Sequence, residues 1–282
     1  MAPVLFVNPR SGDDRPSADE LASEARSRGV QVHVLEEGED VAELARAADA
    51  DALGMAGGDG SLAPVASVAL ERSLPFVCVP FGTRNHFARD LGLDRDDPIA
   101  ALDAFVGGRE RQVDVGRCGD RVFLNNVSLG DYAQLVHERE EHRRRREVLA
   151  RARAWLILIR DRGSPPVFSV DGEAVQARII LIGNNRYSLD VISLGERERL
   201  DEGCLHVYVA RGLTPGTWDE RTAARVTVDT PSRHARAAVD GEPAELETPL
   251  EFRVEPQALR VLVPPGVEDE RDVREGERVG RR

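Results

Sequence analysis

The residues best suited to chemistry lie in one short stretch, where an apolar run ends in glycines that surround a single carboxylate. The run Ala52–Ala56 leads into Gly57-Gly58-Asp59-Gly60-Ser61, and the apolar residues of 61–70 that follow are typical of a helix. Glycines permit positive φ and let a ligand approach the backbone, and the start of a helix presents N–H groups to an anion. The pattern predicts a phosphate-binding turn with Asp59 beside a metal-bound phosphate. On these five residues alone, an ordinary hairpin turn is an open alternative.

The composition narrows the classes of protein that the chain can belong to. It has 282 residues, a net charge of −12 and no apolar run near the ~20 residues of a membrane span, and its acidity argues against a nucleic-acid partner. All 38 basic residues are arginine, so a Walker-type loop and a protein-kinase site, which both place a lysine on the phosphates, are excluded. The three cysteines, Cys78, Cys118 and Cys204, are widely spaced and are expected to be reduced thiols.

The first residues, Met-Ala-Pro-Val-Leu-Phe-Val, lack the basic segment and the long apolar core of a signal peptide. They predict a cytoplasmic protein without a transmembrane segment. Peripheral contact with the inner face of the membrane is an open extension of this prediction.

Strands and helices alternate over residues 1–114. Strands are predicted at Val4–Val7, Val30–Leu35, 52–57 and Phe76–Pro80, and helices at 17–28 (with Ser17 as N-cap), 40–48, 61–70 and after 81–86. This alternation predicts a parallel sheet with helices on both faces. The turns 8–12, 57–61 and 81–86 all follow strands, so they are expected to meet in one crevice at the carboxyl edge of the sheet.

Residues 115–266 have a different texture, with short β-like runs separated by Gly, Asp and Pro turns, which predicts an antiparallel β-sandwich domain, with a barrel as the alternative. The runs are Val113–Arg117, Arg121–Leu129, Val167–Val170, Arg178–Ile182, Cys204–Ala210, Ala223–Val228, Ala235–Val239, Leu250–Val254 and Leu259–Val263. Arg139–Ile159 is predicted to be one long helix, charged at its start, and residues 267–282 a disordered charged tail.

Seven motifs, in this order, resemble the catalytic family of diacylglycerol kinases, which is related to sphingosine and ceramide kinases. They are Asn8-Pro9-Arg10-Ser11-Gly12, Gly57-Gly58-Asp59-Gly60-Ser61, Gly82-Thr83-Arg84-Asn85-His86-Phe87-Ala88-Arg89, Asp114-Val115-Gly116, Gly183-Asn184-Asn185, Leu200-Asp201-Glu202-Gly203 and Val239-Asp240-Gly241-Glu242-Pro243. The order of an α/β half followed by a β half also matches this family.

The resemblance implies an ATP site on the first domain, with Mg²⁺, and a lipid acceptor. The residues it assigns to the nucleotide are Asn8, Pro9, Arg10, Ser11, Gly12, Gly57, Gly58, Asp59, Gly60, Ser61, Thr83 and Asn85. It assigns catalysis to Asp59, Asp240 and Glu242, with Glu242 taking the proton from the lipid hydroxyl, a role that suits a carboxylate. It also implies a metal site at Asp201 and Glu202, whose oxygen ligands suit Mg²⁺. An acidic, solvated turn is the alternative for that segment.

A second copy, Asp171-Gly172-Glu173, has flanks similar to those of Asp240-Gly241-Glu242. Both copies fit two-residue hairpin turns, and the resemblance favours Glu242 as the proton acceptor. The chain departs from the family at His86, where Asp is common, and at Ser61, where Thr is common.

Three functions therefore stay open. The first is an ATP-dependent lipid kinase acting on diacylglycerol or a related lipid at a membrane surface. The second is an NAD kinase, which shares the Gly-Gly-Asp-Gly turn, and the third is a non-catalytic nucleotide-binding protein. The arginine-rich residues 137–160 are either a solvated helix face or a contact with anionic lipid. A homodimer is also left open.

Overall fold

The computed structural model describes residues 1–11, 16–130, 133, 165–188, 196–211 and 218–267. Gly12, the helix predicted over Arg139–Ile159 and the tail after Val267 lie outside these described residues. The chain divides into unit 1, residues 1–113 with the segment from Ala258 onward, and unit 2, residues 114–257. The predicted second domain ran to residue 266, whereas the residues from Ala258 group with unit 1.

Unit 1 is an α/β unit whose strands are parallel. Its elements are β1 (Val4–Val7), α1 (Ala18–Ser27), β2 (Gln31–Val34), α2 (Val41–Ala47), β3 (Leu53–Gly57), α3 (Asp59–Glu71), β4 (Phe76–Pro80), α4 (His86–Asp90), α5 (Pro98–Ala101) and α6 (Ala104–Gly107). The strand order is β2-β1-β3-β4, and every pair in it is parallel. The predicted parallel sheet is therefore confirmed.

The local chemistry of unit 1 follows the sequence pattern closely. Strands β1, β3 and β4 are buried along their whole length, as expected of strands covered on both faces. Ser17 caps α1 in a reciprocal capping box with Glu20, which satisfies two backbone N–H groups at the start of the helix. The sheet gains a further strand from the end of the chain, because Val261 and Leu262 pair in parallel with Phe76 and Val77 of β4.

Unit 2 consists of antiparallel strands. The remaining strands of the chain are β5 (Arg109–Cys118), β6 (Arg121–Phe123), β7 (Asn126–Gly130), β8 (Val167–Val170), β9 (Glu173–Gln176), β10 (Ile179–Asn184), β11 (Leu205–Ala210), β12 (Trp218–Ala223), β13 (Arg225–Asp229), β14 (His234–Val239), β15 (Glu242–Glu247) and β16 (Leu250–Val263). One sheet has the order β12-β11-β10-β7-β14-β15. In the other, the start of β16 pairs with β13, β13 with β8, and β8 with β9.

A common apolar core holds the two sheets of unit 2 together. Strands of the first sheet contribute Val127, Ile180 and Val207, and the other sheet contributes Val170 and Phe252, all in one buried cluster. Phe123 meets Phe252 edge to face, with ring centroids 6.4 Å apart, a geometry that aromatic rings favour. The predicted β-sandwich is confirmed.

Several strands differ from their predicted ranges. The run Arg121–Leu129 is broken at Leu124 and Asn125 into β6 and β7, and the two runs predicted within 250–263 form the single strand β16. Strands β9, β12 and β15 were not predicted as they occur. Each of them is an edge strand of its sheet with at most one buried residue, so its sequence lacks the apolar alternation by which strands are recognised.

In the part of the chain that the structure describes, no helix combines the length and the apolar character needed to cross a bilayer.

Candidate active site

The three predicted turns of unit 1 follow β1, β3 and β4 and are joined to one another. The N–H of Asn8 donates to the carbonyl of Ala56 (2.9 Å), and the N–H of Phe81 donates to the carbonyl of Gly57 (3.4 Å). The backbone pairing of the parallel strands therefore continues into the turns. The described parts of all three turns lie together at the carboxyl edge of the sheet, as predicted.

Asn8 connects the first turn to the second through its side chain. Its Nδ2 donates to Ser61 Oγ (3.3 Å), while its Oδ1 accepts the N–H of Arg10 (3.1 Å). The side chain thus shapes its own turn and contacts the first turn of α3. Of the other residues predicted in this motif, Pro9 and Arg10 are exposed, Ser11 is half-buried, and Gly12 lies outside the described residues.

Asp59 connects the second turn to the third. It is the first residue of α3 and is only 9% exposed, and its carboxylate faces the start of α4. Oδ2 accepts the N–H of His86 (3.1 Å), and Oδ1 accepts the N–H of Phe87 (3.0 Å). A carboxylate at a helix start satisfies otherwise unpaired donors and is favoured by the positive end of the helix dipole. Asp59 is therefore a structural link as well as a predicted ligand.

The absence of a side chain at Gly82 lets the second and third turns approach closely. A Cβ built on Gly82 would lie 2.5 Å from the Cα of Gly58 and 2.8 Å from its nitrogen. Any side chain at Gly82 would push these backbones apart, because its neighbours are main-chain atoms that cannot rotate away. The requirement for glycine is steric here, since no left-handed backbone is involved.

The N-terminus of α3 faces this junction. Gly58 is its N-cap, and no side chain caps it. Gly60 and Ser61 are half-buried, and the N–H of Ser61 donates to the carbonyl of Gly58 (2.9 Å). A helix of 13 residues whose N-cap is a glycine and which lacks a side-chain cap is suited to bind a phosphate.

The third turn places Asn85 inside and Thr83 outside. Asn85 is 3% exposed and adopts a left-handed backbone with φ 50°, while its Nδ2 donates to the carbonyl of Gly82 (2.6 Å). Within the described residues, the buried Asn85 Oδ1 has no hydrogen-bond partner. Thr83 is exposed, so its hydroxyl is accessible. Burial lowers the pKa of His86, and this effect outweighs the negative charge of Asp59, which raises that pKa.

The two Asp-Gly-Glu copies form the same kind of hairpin in unit 2. The backbone φ is 52° at Asp171 and 49° at Asp240, and it is 85° at the glycine that follows each. Val170 pairs with Glu173 across the first turn, and Val239 with Glu242 across the second. Both are two-residue connections, as predicted from Asp-Gly. Glu173 and Glu242 are both exposed, so the turn geometry does not distinguish them.

The aspartates of the two hairpins do differ. The carboxylate of Asp240 is 6% exposed and accepts three backbone N–H groups, from Leu124 (2.8 Å), Asn125 (2.7 Å) and Asn126 (3.1 Å). That of Asp171 is exposed and accepts one backbone N–H, from Thr227 (2.8 Å). Asp240, predicted to be catalytic, thus fixes the hairpin that carries Glu242 onto a buried segment.

Arg197 binds oxygen atoms of the same segment. It was not among the residues predicted from the sequence. Its guanidinium, 3% exposed, donates to the carbonyls of Leu124 (2.7 Å) and Asn184 (2.9 Å) and to Asn125 Oδ1 (2.6 Å). It also lies over the ring of Tyr187, 5.3 Å from the centroid. Arg197 stands in the run Glu196-Arg197-Glu198-Arg199, which is typical of a solvated segment and carries no signal of burial.

The predicted metal residues Asp201 and Glu202 have different surroundings. Asp201 Oδ1 accepts a bond from Arg199 Nε (3.1 Å). Glu202 Oε2 instead accepts the N–H of Arg186 (2.9 Å) and lies 3.0 Å from His206 Nε2. Glu202 lines an open cleft of about 540 Å³ in unit 2. Burial, reinforced by the charge of Glu202, raises the pKa of the Cys204 thiol in that cleft.

The difference between the two aspartates predicts unequal costs of neutralising them. Asp240→Asn should lower the free energy of unfolding by about 1–3 kcal/mol, because an amide cannot accept all three buried N–H groups. Asp171→Asn, the matched control, should cost less than about 1 kcal/mol, because the site is exposed. Urea unfolding of both variants measures this, and equal losses would show that the buried contacts of Asp240 contribute nothing particular.

The lowered pKa of His86 predicts a pH dependence of stability. Because the folded protein takes up this proton at lower pH than the unfolded chain does, stability should fall as the pH drops below the ordinary value of 6.5 toward the lowered pKa. His86→Gln should flatten that part of the profile, with the exposed His234→Gln as control. Unfolding free energies measured from neutral to acidic pH test this, and a parallel shift of the whole His86→Gln curve would contradict it.

Comparisons with known proteins find lipid kinases and diacylglycerol kinases among the proteins similar to this chain. Residues 2–118 match the family model described as the diacylglycerol kinase catalytic domain. The chain is 27% identical over 301 aligned residues to the protein named "Probable lipid kinase YegS-like" of Klebsiella pneumoniae (strain 342), covering 94% of this chain and 96% of that protein. It is 30% identical over 152 residues to the diacylglycerol kinase of Mycobacterium tuberculosis (strain ATCC 25618 / H37Rv), covering 50% and 49%.

A solved structure supports the fold. The crystal structure of a diacylglycerol kinase from Bacillus anthracis str. Sterne superimposes with a TM-score of 0.67, at 17% identity, over 95% of this chain and 98% of that one. At this identity the likeness establishes the architecture alone. The family model and the curated relatives bear out the resemblance recognised from the motifs: residues 2–118 match the diacylglycerol kinase catalytic domain, and the chain is similar to a lipid kinase along nearly its whole length.

Proposed function

We propose that this chain is an ATP-dependent lipid kinase that phosphorylates the hydroxyl of diacylglycerol or of a related long-chain alcohol. The observation that carries the proposal is the junction of the three turns in unit 1. It combines an α3 start without a side-chain cap, glycine backbones in close approach and one buried carboxylate, Asp59. The similarity to lipid kinases supports the choice of acceptor class.

In this proposal the nucleotide phosphates bind at the start of α3. Backbone N–H groups of Gly58, Asp59 and Gly60 and the dipole of α3 would supply positive potential without a lysine, which the chain lacks. Asn8 would hold the first turn against Ser61, and Asn85 would hold the third turn together through its bond to the carbonyl of Gly82. Arg10 and Thr83, both exposed, would contact phosphate and nucleotide from the solvent side.

The residues of this junction fit a magnesium ion carried by the nucleotide. Mg²⁺ prefers oxygen ligands and keeps several waters, and a carboxylate oxygen can accept more than one bond. Asp59 would bind such an ion directly or through water. The ion would neutralise charge on the transferred phosphoryl group, which provides much of the catalysis in phosphoryl transfer.

The proton acceptor in this proposal is Glu242 in unit 2. Its carboxylate would take the proton of the lipid hydroxyl while that oxygen attacks the γ-phosphorus and the bond to the leaving ADP breaks. Asp240 would act as a positioning residue, because its buried bonds to residues 124–126 hold the hairpin. Glu202 and Asp201 stay predicted metal ligands of unit 2. Cytoplasmic location and contact with a membrane surface stay predictions as well.

The function is tested by offering labelled ATP and Mg²⁺ with diacylglycerol, sphingosine and ceramide in mixed micelles and with NAD in buffer. We expect the label to appear in a lipid product, and diacylglycerol to be the preferred acceptor. Label in NAD would instead support an NAD kinase. ATP binding without label in any product would support a non-catalytic nucleotide-binding protein.

The two hairpins supply a matched pair for the proton acceptor. Glu242→Gln keeps the size of the side chain but removes its basicity, so turnover should fall by ~10²–10⁴ while ATP affinity is unchanged. Glu173→Gln, in a turn of the same geometry, should behave as the parent. Equal losses in the two variants would point to general damage, and a loss at Glu173 alone would mean that the base lies in the first hairpin.

A further inference from the structure

Three side chains of different chemistry converge beside strand β11. Cys204 directly precedes β11 and His206 is its second residue, so their spacing of two puts them on the same face of an extended chain. Glu202 reaches the same place across a turn at Gly203, where φ is 70°. One ligand atom from each of Glu202, Cys204 and His206 lies within 4.8 Å of the others.

The imidazole of His206 is the centre of this group. His206 is 5% exposed, and its Nε2 lies 3.0 Å from Glu202 Oε2 and 3.5 Å from Cys204 Sγ. A carboxylate, a thiol and an imidazole thus face one point. Carboxylate, thiolate and imidazole are the side-chain ligands of zinc sites in proteins.

Glu220 occupies the other nitrogen of the ring. Its Oε1 lies 2.9 Å from His206 Nδ1. In the antiparallel pairing of β11 with β12, His206 faces Thr222, and Glu220 is two residues from Thr222 on the same face. A carboxylate that accepts Nδ1–H orients the ring and raises the basicity of Nε2, which is the usual arrangement behind a metal-bound histidine.

The backbone around Glu202 is held in place by groups outside this set. Its N–H donates to Asn185 Oδ1 (2.8 Å), its Oε2 accepts the N–H of Arg186, and the N–H of Gly203 donates to Asp114 Oδ2 (2.6 Å). A ligand set fixed in advance by its surroundings loses little conformational entropy on binding. The three groups also line the cleft of about 540 Å³ in unit 2, which leaves room for water as a fourth ligand.

We propose that Glu202, Cys204 and His206 bind a divalent transition-metal ion, with Zn²⁺ the expected metal and Glu220 the carboxylate behind the histidine. The donor set differs from the magnesium site predicted from Asp201 and Glu202, because Mg²⁺ takes oxygen ligands whereas thiolate and imidazole select zinc and its neighbours. Binding releases the thiol proton, and Nδ1 of His206 keeps its proton toward Glu220. The inference uses unit 2 alone and does not rest on the proposed kinase activity.

Cobalt(II) tests the site through its absorption spectrum, since a Co²⁺–thiolate bond produces a charge-transfer band that oxygen and nitrogen ligands do not. The full chain, stripped with chelator, is titrated with Co²⁺ and then with Zn²⁺ or excess Mg²⁺. We expect one Co²⁺ per chain with the thiolate band, loss of the band on adding Zn²⁺, and no change with Mg²⁺. Absence of the band in the parent protein would overturn the proposal and leave His206 as an ion-pair partner of Glu202 and Glu220.

Variants assign the ligands. Cys204→Ser should remove the charge-transfer band, His206→Gln should weaken Co²⁺ binding, and Glu220→Gln should keep the band while lowering affinity by ~10–100-fold. Circular dichroism checks that each variant is folded.

Two control variants change a cysteine and a histidine that lie elsewhere in the chain. Cys118→Ser changes a buried cysteine, and His33→Gln changes a histidine whose Nε2 lies 2.8 Å from Glu39 Oε2. Both should bind Co²⁺ as the parent does. A band that persists in Cys204→Ser or disappears in Cys118→Ser would contradict the assignment, whatever the kinase assay shows.

Discussion

The contact of two turns across Gly58 and Gly82 is the constraint on which the candidate nucleotide site depends. Because a Cβ at Gly82 would fall 2.5 Å from the Cα of Gly58, the start of α3 and the start of α4 can be neighbours only while position 82 carries no side chain. Their closeness then lets one carboxylate, Asp59, accept N–H groups of His86 and Phe87. Burying that charge costs free energy unless it is well bonded, and the two donors together with the end of the helix dipole offset the cost. The same geometry leaves the N-terminus of α3 without a side-chain cap, as a phosphate requires.

In unit 2, a buried aspartate and a buried arginine provide hydrogen-bond partners for a segment that lies outside the strands. The segment of Leu124 and Asn125 interrupts the strand pattern between β6 and β7, so its backbone groups need partners outside a ladder. Asp240 accepts its N–H groups and Arg197 donates to its carbonyl and side-chain oxygens. The Asp240 hairpin is thereby fixed to the core, whereas the Asp171 hairpin, with nearly the same turn, stays exposed. A difference in burial therefore separates two copies that look alike in sequence.

Local rules were sufficient for much of the fold and for part of the candidate site. The parallel strands of unit 1, the cap at Ser17 and both Asp-Gly turns follow from short-range patterns whose physics is local. The edge strands β9, β12 and β15 were not predicted, because a strand with one neighbour and little burial needs no apolar alternation. Arg197 was not predicted because its hydrogen-bond partners lie 13 to 73 positions away in the sequence, where a local pattern does not show them. Likewise, Glu220 and His206 come together only through the pairing of β11 with β12, which the sequence pattern does not show. The sequence therefore predicts the ranges of strands and helices better than it predicts contacts between residues that are far apart in the chain.

The ATP affinity of Gly82→Ala tests the central claim, that the joined turns of unit 1 form the phosphate site, most directly. Isothermal titration with ATP and Mg²⁺ compares the parent, Gly82→Ala and Gly107→Ala, a glycine whose added Cβ would make only an ordinary contact, 3.7 Å from Pro265. Circular dichroism and urea unfolding establish that each protein is folded. We expect Gly82→Ala to bind ATP at least about tenfold more weakly, a loss of about 1.4 kcal/mol or more, while Gly107→Ala binds as the parent does. Unchanged affinity in a folded Gly82→Ala protein would contradict the claim and place the nucleotide elsewhere.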